Sequence, residues 1–338
     1  MINGHGDDIY AYPGITSNFS SNVPGGVNHD GLNRYLYENL SCIRSYPEPE
    51  PRSLERELAS FHGVMPENVC ATNGATEAIY LIAQAYRNST SVILAPTFSE
   101  YADACRLHLH TVRSLFSPDT LPAEAALVWL CNPNNPTGEV IDLRRLRKWI
   151  ETHPRHLFVI DQSYEAFTDK QLFSAKEAAD YPNVLLLHSL TKRFAVPGLR
   201  IGYVTAHPLL IDKLRSNRMP WSVNALAIAA GHYLLHRAEG DYALDVSALL
   251  SERKRVAEAL LSVGGMDVWE SDTPYMLICL RSGKAAALKE FLALNHGILI
   301  RDASNFEGLD ERFFRIAVQT PEENDRLVNC IKEWMYTY

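Results

Sequence analysis

The sequence has no excess of positive charge: 32 lysines and arginines stand against 40 aspartates and glutamates, a formal net charge of −8. That balance leaves no basic face for a nucleic-acid backbone, so nucleic acid is excluded as a partner. Metal-like cysteine pairs are also missing. The six cysteines (Cys42, Cys70, Cys105, Cys131, Cys279 and Cys330) are scattered, a pattern of free thiols in a reducing compartment rather than of a disulfide framework. No uninterrupted apolar run approaches the roughly 20 residues of a membrane-spanning helix. A Gly-x-x-x-x-Gly-Lys loop is absent, which removes the case for a nucleoside triphosphatase. The first eight residues carry no basic or long apolar stretch, so no signal peptide is expected and the cytoplasm is the expected location.

What is present is an alternation of apolar runs and helical patterns. Strands are expected at 91–95, 126–130, 157–160, 184–188 and 200–205, with helical segments such as 143–151 between them. That order indicates a largely parallel, doubly wound sheet. After Pro220 the pattern changes to helices at 225–237 and 246–262, then strands near 275–281, 298–301 and 314–318, then a closing helix at 321–335. A chain of 338 residues has room for two domains of about 150 residues each.

Lys192 stands out. It follows the apolar run Val184-Leu185-Leu186-Leu187, has Ser189 and Thr191 nearby, and precedes Arg200 by eight residues. An amine delivered from a strand end beside anion-binding groups suits a Schiff base to a phosphorylated aldehyde; an ordinary surface lysine is the plainer alternative. Asn73-Gly74-Ala75-Thr76 opens a helical pattern, where free backbone NH groups form either an anion cradle or a simple cap. Asn132-Pro133-Asn134-Asn135-Pro136-Thr137-Gly138 follows an apolar strand and could be no more than a turn. Asp161 ends another strand, where α/β sheets bind ligands, with Tyr164 three residues on. Arg315 sits inside the apolar run Phe313–Val318; a buried guanidinium needs an anion, whether a ligand carboxylate or a structural partner. Two histidine pairs, His108 with His110 and His153 with His156, lack companions for a metal and read as surface or packing residues.

Together these segments resemble the pyridoxal-phosphate enzymes of fold type I, in the class I/II aminotransferase superfamily, over nearly the whole chain. The resemblance implies an α/β fold: a large domain with a mostly parallel seven-stranded sheet, residues 41–222, and a smaller αβ domain from residues 1–40 and 223–338. It implies pyridoxal 5'-phosphate as cofactor, with Lys192 bonded to its aldehyde and later moving protons. Asp161 would pair with the ring nitrogen, Asn135 and Tyr164 with the ring hydroxyl, and Tyr101 would stack on the ring, although a core aromatic is the plainer use of that residue. Gly74, Ala75, Thr76, Ser189 and Arg200 would bind the phosphate. Tyr46 resembles a tyrosine that reaches the neighbouring subunit's phosphate, which implies a homodimer.

Within the superfamily the chain looks like the branch holding histidinol-phosphate aminotransferases and L-threonine-O-3-phosphate decarboxylases. His5-Gly6, the stretch Asn18-Phe19-Ser20-Ser21-Asn22 and the segment Ile300–Phe306 resemble the decarboxylases. That likeness implies a small phosphorylated amino acid as substrate, with His5 and Asn22 at its phosphate and Arg315 at its α-carboxylate. The reaction implied is decarboxylation of O-phospho-L-threonine to (R)-1-amino-2-propanol phosphate in cobalamin assembly, with histidinol-phosphate transamination as the alternative. Two positions depart from the pattern: Asp7 replaces a glycine, and Asn18 replaces an aspartate.

Overall fold

The computed structural model describes residues 7–117 and 121–337. From one edge to the other, its seven-stranded sheet runs Val69–Thr72, Gly202–Thr205, Val184–Ser189, Leu157–Asp161, Leu127–Cys131, Thr90–Leu94 and Thr111–Leu115. All neighbours pair in parallel except Gly202–Thr205, which is antiparallel to both of its own. The central strands are continuous apolar runs buried on both faces, as a parallel sheet covered by helices requires. Helix Gly74–Ala85 buries Ala78, Ile79, Leu81 and Ile82 along one stripe. Asp142 starts helix Leu143–Thr152 by accepting from the amides of Arg144 and Arg145 at 3.0 and 3.2 Å.

A second, antiparallel sheet runs Arg301–Asp302, Phe313–Ala317, Tyr275–Leu280 and Met266–Val268. Its core joins Met276, Ile278, Phe314 and Ile316 to Leu327 and Trp334 of the closing helix. Phe19 belongs to the same core, and Ser17–Asn18 pairs in parallel with Ile298–Leu299. The N-terminal segment is thus built into the C-terminal half.

Three elements differ from the sequence reading. The single strand expected at 298–301 is two short ones, one pairing with Ser17–Asn18 and the other with Phe313–Ala317; the chain changes sheets at the buried Ile300. The strand expected from Arg200 starts at Gly202, because Arg200 is in the left-handed region at φ 58°. Helix Ala225–Leu235, expected with the smaller part, shares its core with Leu54, Leu58, Val69 and Tyr203 at the edge of the large sheet. Its Ala227, Ala230 and Leu234 belong to that core, which Leu32 and Tyr35 of the N-terminal part also join.

That edge depends on a buried ion set. Glu55, fully buried, accepts from Arg218 Nη1 at 2.9 Å, Arg215 Nη2 at 3.0 Å and the amide of Ala71 at 3.2 Å. The same arginines donate to the carbonyls of Val69 and Ala71 at 2.7 and 2.9 Å. Removing the carboxylate strands two guanidinium groups away from water, so Glu55→Ala should cost about 3–5 kcal/mol. Urea unfolding of wild type and variant measures it; a loss below about 1 kcal/mol would show that the set contributes little.

Candidate active site

The parallel strands end on one side of the sheet, and the loops that follow carry Asn135, Asp161, Tyr164 and Lys192 to a common place, as open α/β sheets do with their ligands. A cavity of about 210 Å³ lies there, between the large sheet and the second sheet. Lys192, in the turn Leu190–Arg193, reaches into it and donates from Nζ to the carbonyl of Ser21 at 2.8 Å. Burial pulls its amine down to about 8, with help from the charges of Arg315 and Arg200, while Asp7 and Asp161 oppose the change. An amine so placed has a substantial neutral fraction near neutral pH, which attack on a carbonyl needs.

Asp161 is 4 % exposed. Its Oδ1 accepts from the amide of Ser163 at 2.8 Å and its Oδ2 from the Tyr101 hydroxyl at 2.7 Å. The Tyr101 ring lines the cavity and stacks on Trp129, with centroids 5.7 Å apart. Tyr164 also lines the cavity, and burial pushes its phenol up to about 12 although Arg315 pulls the other way. Asn135 accepts from Arg315 Nη1 through its Oδ1. A guanidinium only donates, so this bond fixes the amide's orientation and leaves its NH2 as a donor.

An anion cradle closes the other end. Ala75 and Thr76 line the cavity at the start of helix Gly74–Ala85, together with Ser189, Thr191 and Arg200. Gly74 has φ 80°, and a Cβ there would come within 2.5 Å of Arg200 Nη2. At Gly202 a Cβ would meet the Ala75 nitrogen at 2.3 Å. Both glycines let the backbone and Arg200 approach one spot, as a bound phosphate requires. Thr191 Oγ1 is buried there without a hydrogen-bond partner, an orphaned group of the kind a bound anion satisfies. A cradle, a buried amine, an amide donor and a carboxylate, in that arrangement, fit pyridoxal phosphate from its phosphate to its ring nitrogen.

A profile of the family described as aminotransferase class I and II matches residues 38–331. The chain belongs to that family. Its cofactor is pyridoxal 5'-phosphate. Threonine-phosphate decarboxylase of Salmonella typhimurium is 31 % identical over 331 residues, 93 % of this chain and 90 % of that protein. Histidinol-phosphate aminotransferase of Thermoanaerobacter pseudethanolicus is 32 % identical over 308 residues, 87 % of this chain and 85 % of that protein. The chain also matches 38 % of the length of a bifunctional adenosylcobalamin biosynthesis protein of Leptospira interrogans, at 29 % identity over 94 % of this chain. Among solved structures, L-threonine-O-3-phosphate decarboxylase from Porphyromonas gingivalis superposes with a TM-score of 0.92 at 36 % identity, covering 95 % of this chain and all of that one.

Not every expected residue of this family member meets at the cavity. Tyr46 is 85 % exposed and packs on Trp221, away from the site of its own chain. His5 lies outside the described residues. Asn22 lines a smaller adjoining pocket with Val23 and Tyr275, and its buried amide faces the Tyr164 hydroxyl. Arg315 is in place, with Nη2 on the carbonyl of Ser20 and Nε buried without a partner. His110 is buried, bonded to Ser91 Oγ and the carbonyl of Ala83, both at 2.8 Å. Among the described residues no group of three possible metal ligands occurs, and no helix is long and apolar enough to cross a membrane.

The wall also holds Asp7, Ser20, Ser21 and Arg301, which lie in the segments that resemble the decarboxylases but had no binding role assigned. Arg301 is 7 % exposed and pairs directly across the strands with Arg315. It donates to the carbonyl of Asp302 and to Asn305 Oδ1, each at 2.7 Å. Burial, and then the charge of Arg315, pull it down to about 10. An arginine in the strand next to Arg315 was the available signal, but which two residues face each other is set by register.

The lowered amine gives a pH signature. Aldehyde capture by the cofactor-free enzyme should speed up as pH rises toward about 8 and then level off, since above that value the amine is already neutral. Stopped-flow absorbance after mixing with pyridoxal phosphate records it. A rate still climbing at pH 10, as for a solvent-exposed lysine, would contradict a depressed amine.

Proposed function

We propose that this enzyme decarboxylates O-phospho-L-threonine to (R)-1-amino-2-propanol phosphate and CO2. The observation that carries this reading is the pair Arg301 and Arg315, opposite each other on neighbouring strands and both facing the cavity. Two directly opposed like charges, both buried, are costly unless anions lie between or beside them. Asp302 and Asp8 already offset part of the charge of Arg301, and a substrate with a carboxylate and a second anion would add to that compensation. Similarity to the decarboxylase structure, at higher identity than the 24 % of the aminotransferase from Clostridium acetobutylicum, supports the same choice. Transamination of histidinol phosphate is the runner-up, since relatives with that name are as similar in sequence.

When bound, pyridoxal phosphate would supply an electron sink that makes a bond at the substrate's Cα labile. The protein's part is to choose that bond. Arg315 would hold the α-carboxylate through its planar fork, its own position fixed by Asn135 and Ser20. Arg301 would draw the phosphate to the other side, with His5 and Asn22 closing on it. Two anchored anions fix rotation about Cα, so the carboxylate rather than the hydrogen is set to leave. Asp161, steadied by Tyr101, would keep a proton on the ring nitrogen, and Tyr164 with Asn135 would hold the ring oxygen. Gly74, Ala75, Thr76, Ser189 and Arg200 would grip the cofactor phosphate. Lys192 would yield its place to the substrate amine and then deliver a proton to Cα.

The active unit in this reading is a homodimer, with the exposed Tyr46 reaching the partner's cradle; its large domain takes residues 41–222 together with helix Ala225–Leu235 packed on it, and the smaller one the remainder of 1–40 and 223–338. Six free cysteines suit a cytoplasmic enzyme.

Incubating the holoenzyme with O-phospho-L-threonine and no keto acid should release CO2 in step with aminopropanol phosphate. Absence of CO2, together with glutamate formed from histidinol phosphate and 2-oxoglutarate, would replace the decarboxylase with the runner-up. Arg315→Lys should weaken substrate binding by about 1.5–3 kcal/mol, roughly 10- to 150-fold in KM, because an ammonium cannot reproduce a bidentate clamp. An unchanged KM would take the carboxylate away from Arg315.

A further inference from the structure

We propose that Asp7 acts through Lys192, holding the lysine amine in its protonated form so that the site delivers a proton to Cα instead of removing one. The inference rests on the decarboxylase reading for its consequence, though not for its geometry.

Asp7 and Lys192 line the same cavity and hang from the same short stretch of chain. The amide of Asp7 donates to Ser20 Oγ at 3.1 Å, and Lys192 Nζ donates to the carbonyl of the next residue, Ser21, at 2.8 Å. The carboxylate is held in turn: Asn18 Nδ2 donates to Asp7 Oδ1 at 2.6 Å. Asn18 Oδ1 meanwhile accepts from the amide and hydroxyl of Ser20 at 2.9 and 2.7 Å. Position 18 therefore needs a group that both donates and accepts. An aspartate there could not donate to Asp7 and would set two carboxylates against each other. The two departures from the decarboxylase pattern, Asp7 for glycine and Asn18 for aspartate, thus meet in one hydrogen bond. In effect the negative charge has moved from position 18 to position 7, on the cavity wall.

Asp7 keeps this place at a backbone cost, since its φ of 65° is in the left-handed region that glycine adopts freely. The following residue is clasped: Lys289 Nζ is 2.5 Å from Asp8 Oδ2 and 5.3 Å from the centre of the Tyr12 ring. The segment is therefore fixed at the cavity from both sides.

The charges facing the lysine divide evenly. Arg315 from the second sheet and Arg200 from the cradle favour the neutral amine; Asp161 at the end of its strand and Asp7 favour the ammonium. Asp161 already accepts from Tyr101 and Ser163 and serves the ring nitrogen, which leaves Asp7 as the anion available to Lys192. The two reactions need opposite forms of the amine. Transamination requires a neutral amine to take the Cα proton. In decarboxylation the bond from Cα to the carboxylate carbon breaks, its electron pair stays with Cα, CO2 departs, and Cα gains one proton. An ammonium at Lys192 supplies that proton and regains it from water. A carboxylate on the same cavity wall as the lysine favours the second course.

The test uses holoenzyme of wild type, Asp7→Asn and Asp7→Gly; the glycine variant also relieves the backbone. The pH midpoint of the cofactor's visible absorbance, read without substrate, reports the proton on the Lys192 nitrogen. Both variants should move that midpoint down by about one unit, a tenfold loss of proton affinity. The basic limb of CO2 release should follow it, and more turnovers should end with the aldehyde form of the cofactor lost. A midpoint unchanged in both variants overturns the proposal. Absence of CO2 from wild type would instead sink the decarboxylase reading, while the midpoint would still decide whether Asp7 governs Lys192.

Discussion

The buried guanidinium of Arg315 is the constraint on which the site depends. A cation 4 % exposed must be given acceptors, and Arg315 finds them on two different parts of the molecule. Asn135 comes from the loop after a strand of the large sheet, Ser20 from the N-terminal segment, and Arg315 itself from the second sheet. One side chain therefore ties together three pieces of chain far apart in sequence. Because its Nε remains unpaired, the tie is incomplete within the protein, and a carboxylate is the natural group to complete it. In the proposed reading, substrate binding would draw on the same guanidinium that joins the two sheets.

The parts of this site that were legible in the sequence are those that local chain geometry dictates. Asp161 and Lys192 each stand at or just after a strand end, and a strand of continuous apolar residues announces itself. The start of helix Gly74–Ala85 is marked by its glycine, and the loop around Asn135 by its prolines. The strands Val69–Thr72 and Thr111–Leu115 left weaker signals: the first is only four residues long, and the second is a partly exposed edge without a sustained apolar run. What could not be read is what register and long-range folding decide. Nothing local says that Arg301 lies opposite Arg315, that Tyr101 bonds Asp161 across 60 residues, or that Asn18 reaches back to Asp7. Nor does anything local say that the buried amide of Asn22 faces Tyr164 from a pocket beside Tyr275.

The electrostatics of the cavity connect these placements to chemistry. Lys192, Arg200, Arg301 and Arg315 converge on a space whose described wall also carries Asp7 and Asp161, with Asp302 and Asp8 acting on Arg301 from outside it. Burial and the neighbouring guanidinium groups bring the lysine to about 8, close enough to neutrality that one nearby charge decides which form dominates. A lysine far below that value would be a base under all ordinary conditions, and one left near its usual value would be an acid. Held between them, it can be committed to either task by a charged residue on the cavity wall.

That is why the cofactor contacts, common to a whole family, say little about which reaction occurs. Lys192, Asp161 and the phosphate cradle establish a shared first step, and the same set serves loss of a proton or loss of CO2. In the proposed reading the choice would belong to groups contributed by the second sheet and the N-terminal segment: Arg301 and Arg315 through the rotation they would impose on Cα, and Asp7 through the proton it would keep on the amine. These are also the groups whose positions depend on the parallel pairing of Ser17–Asn18 with Ile298–Leu299 and on the clasp between Asp8 and Lys289. Specificity in this fold is therefore carried by the joint between its parts, and a change there can redirect the chemistry while every cofactor contact stays in place.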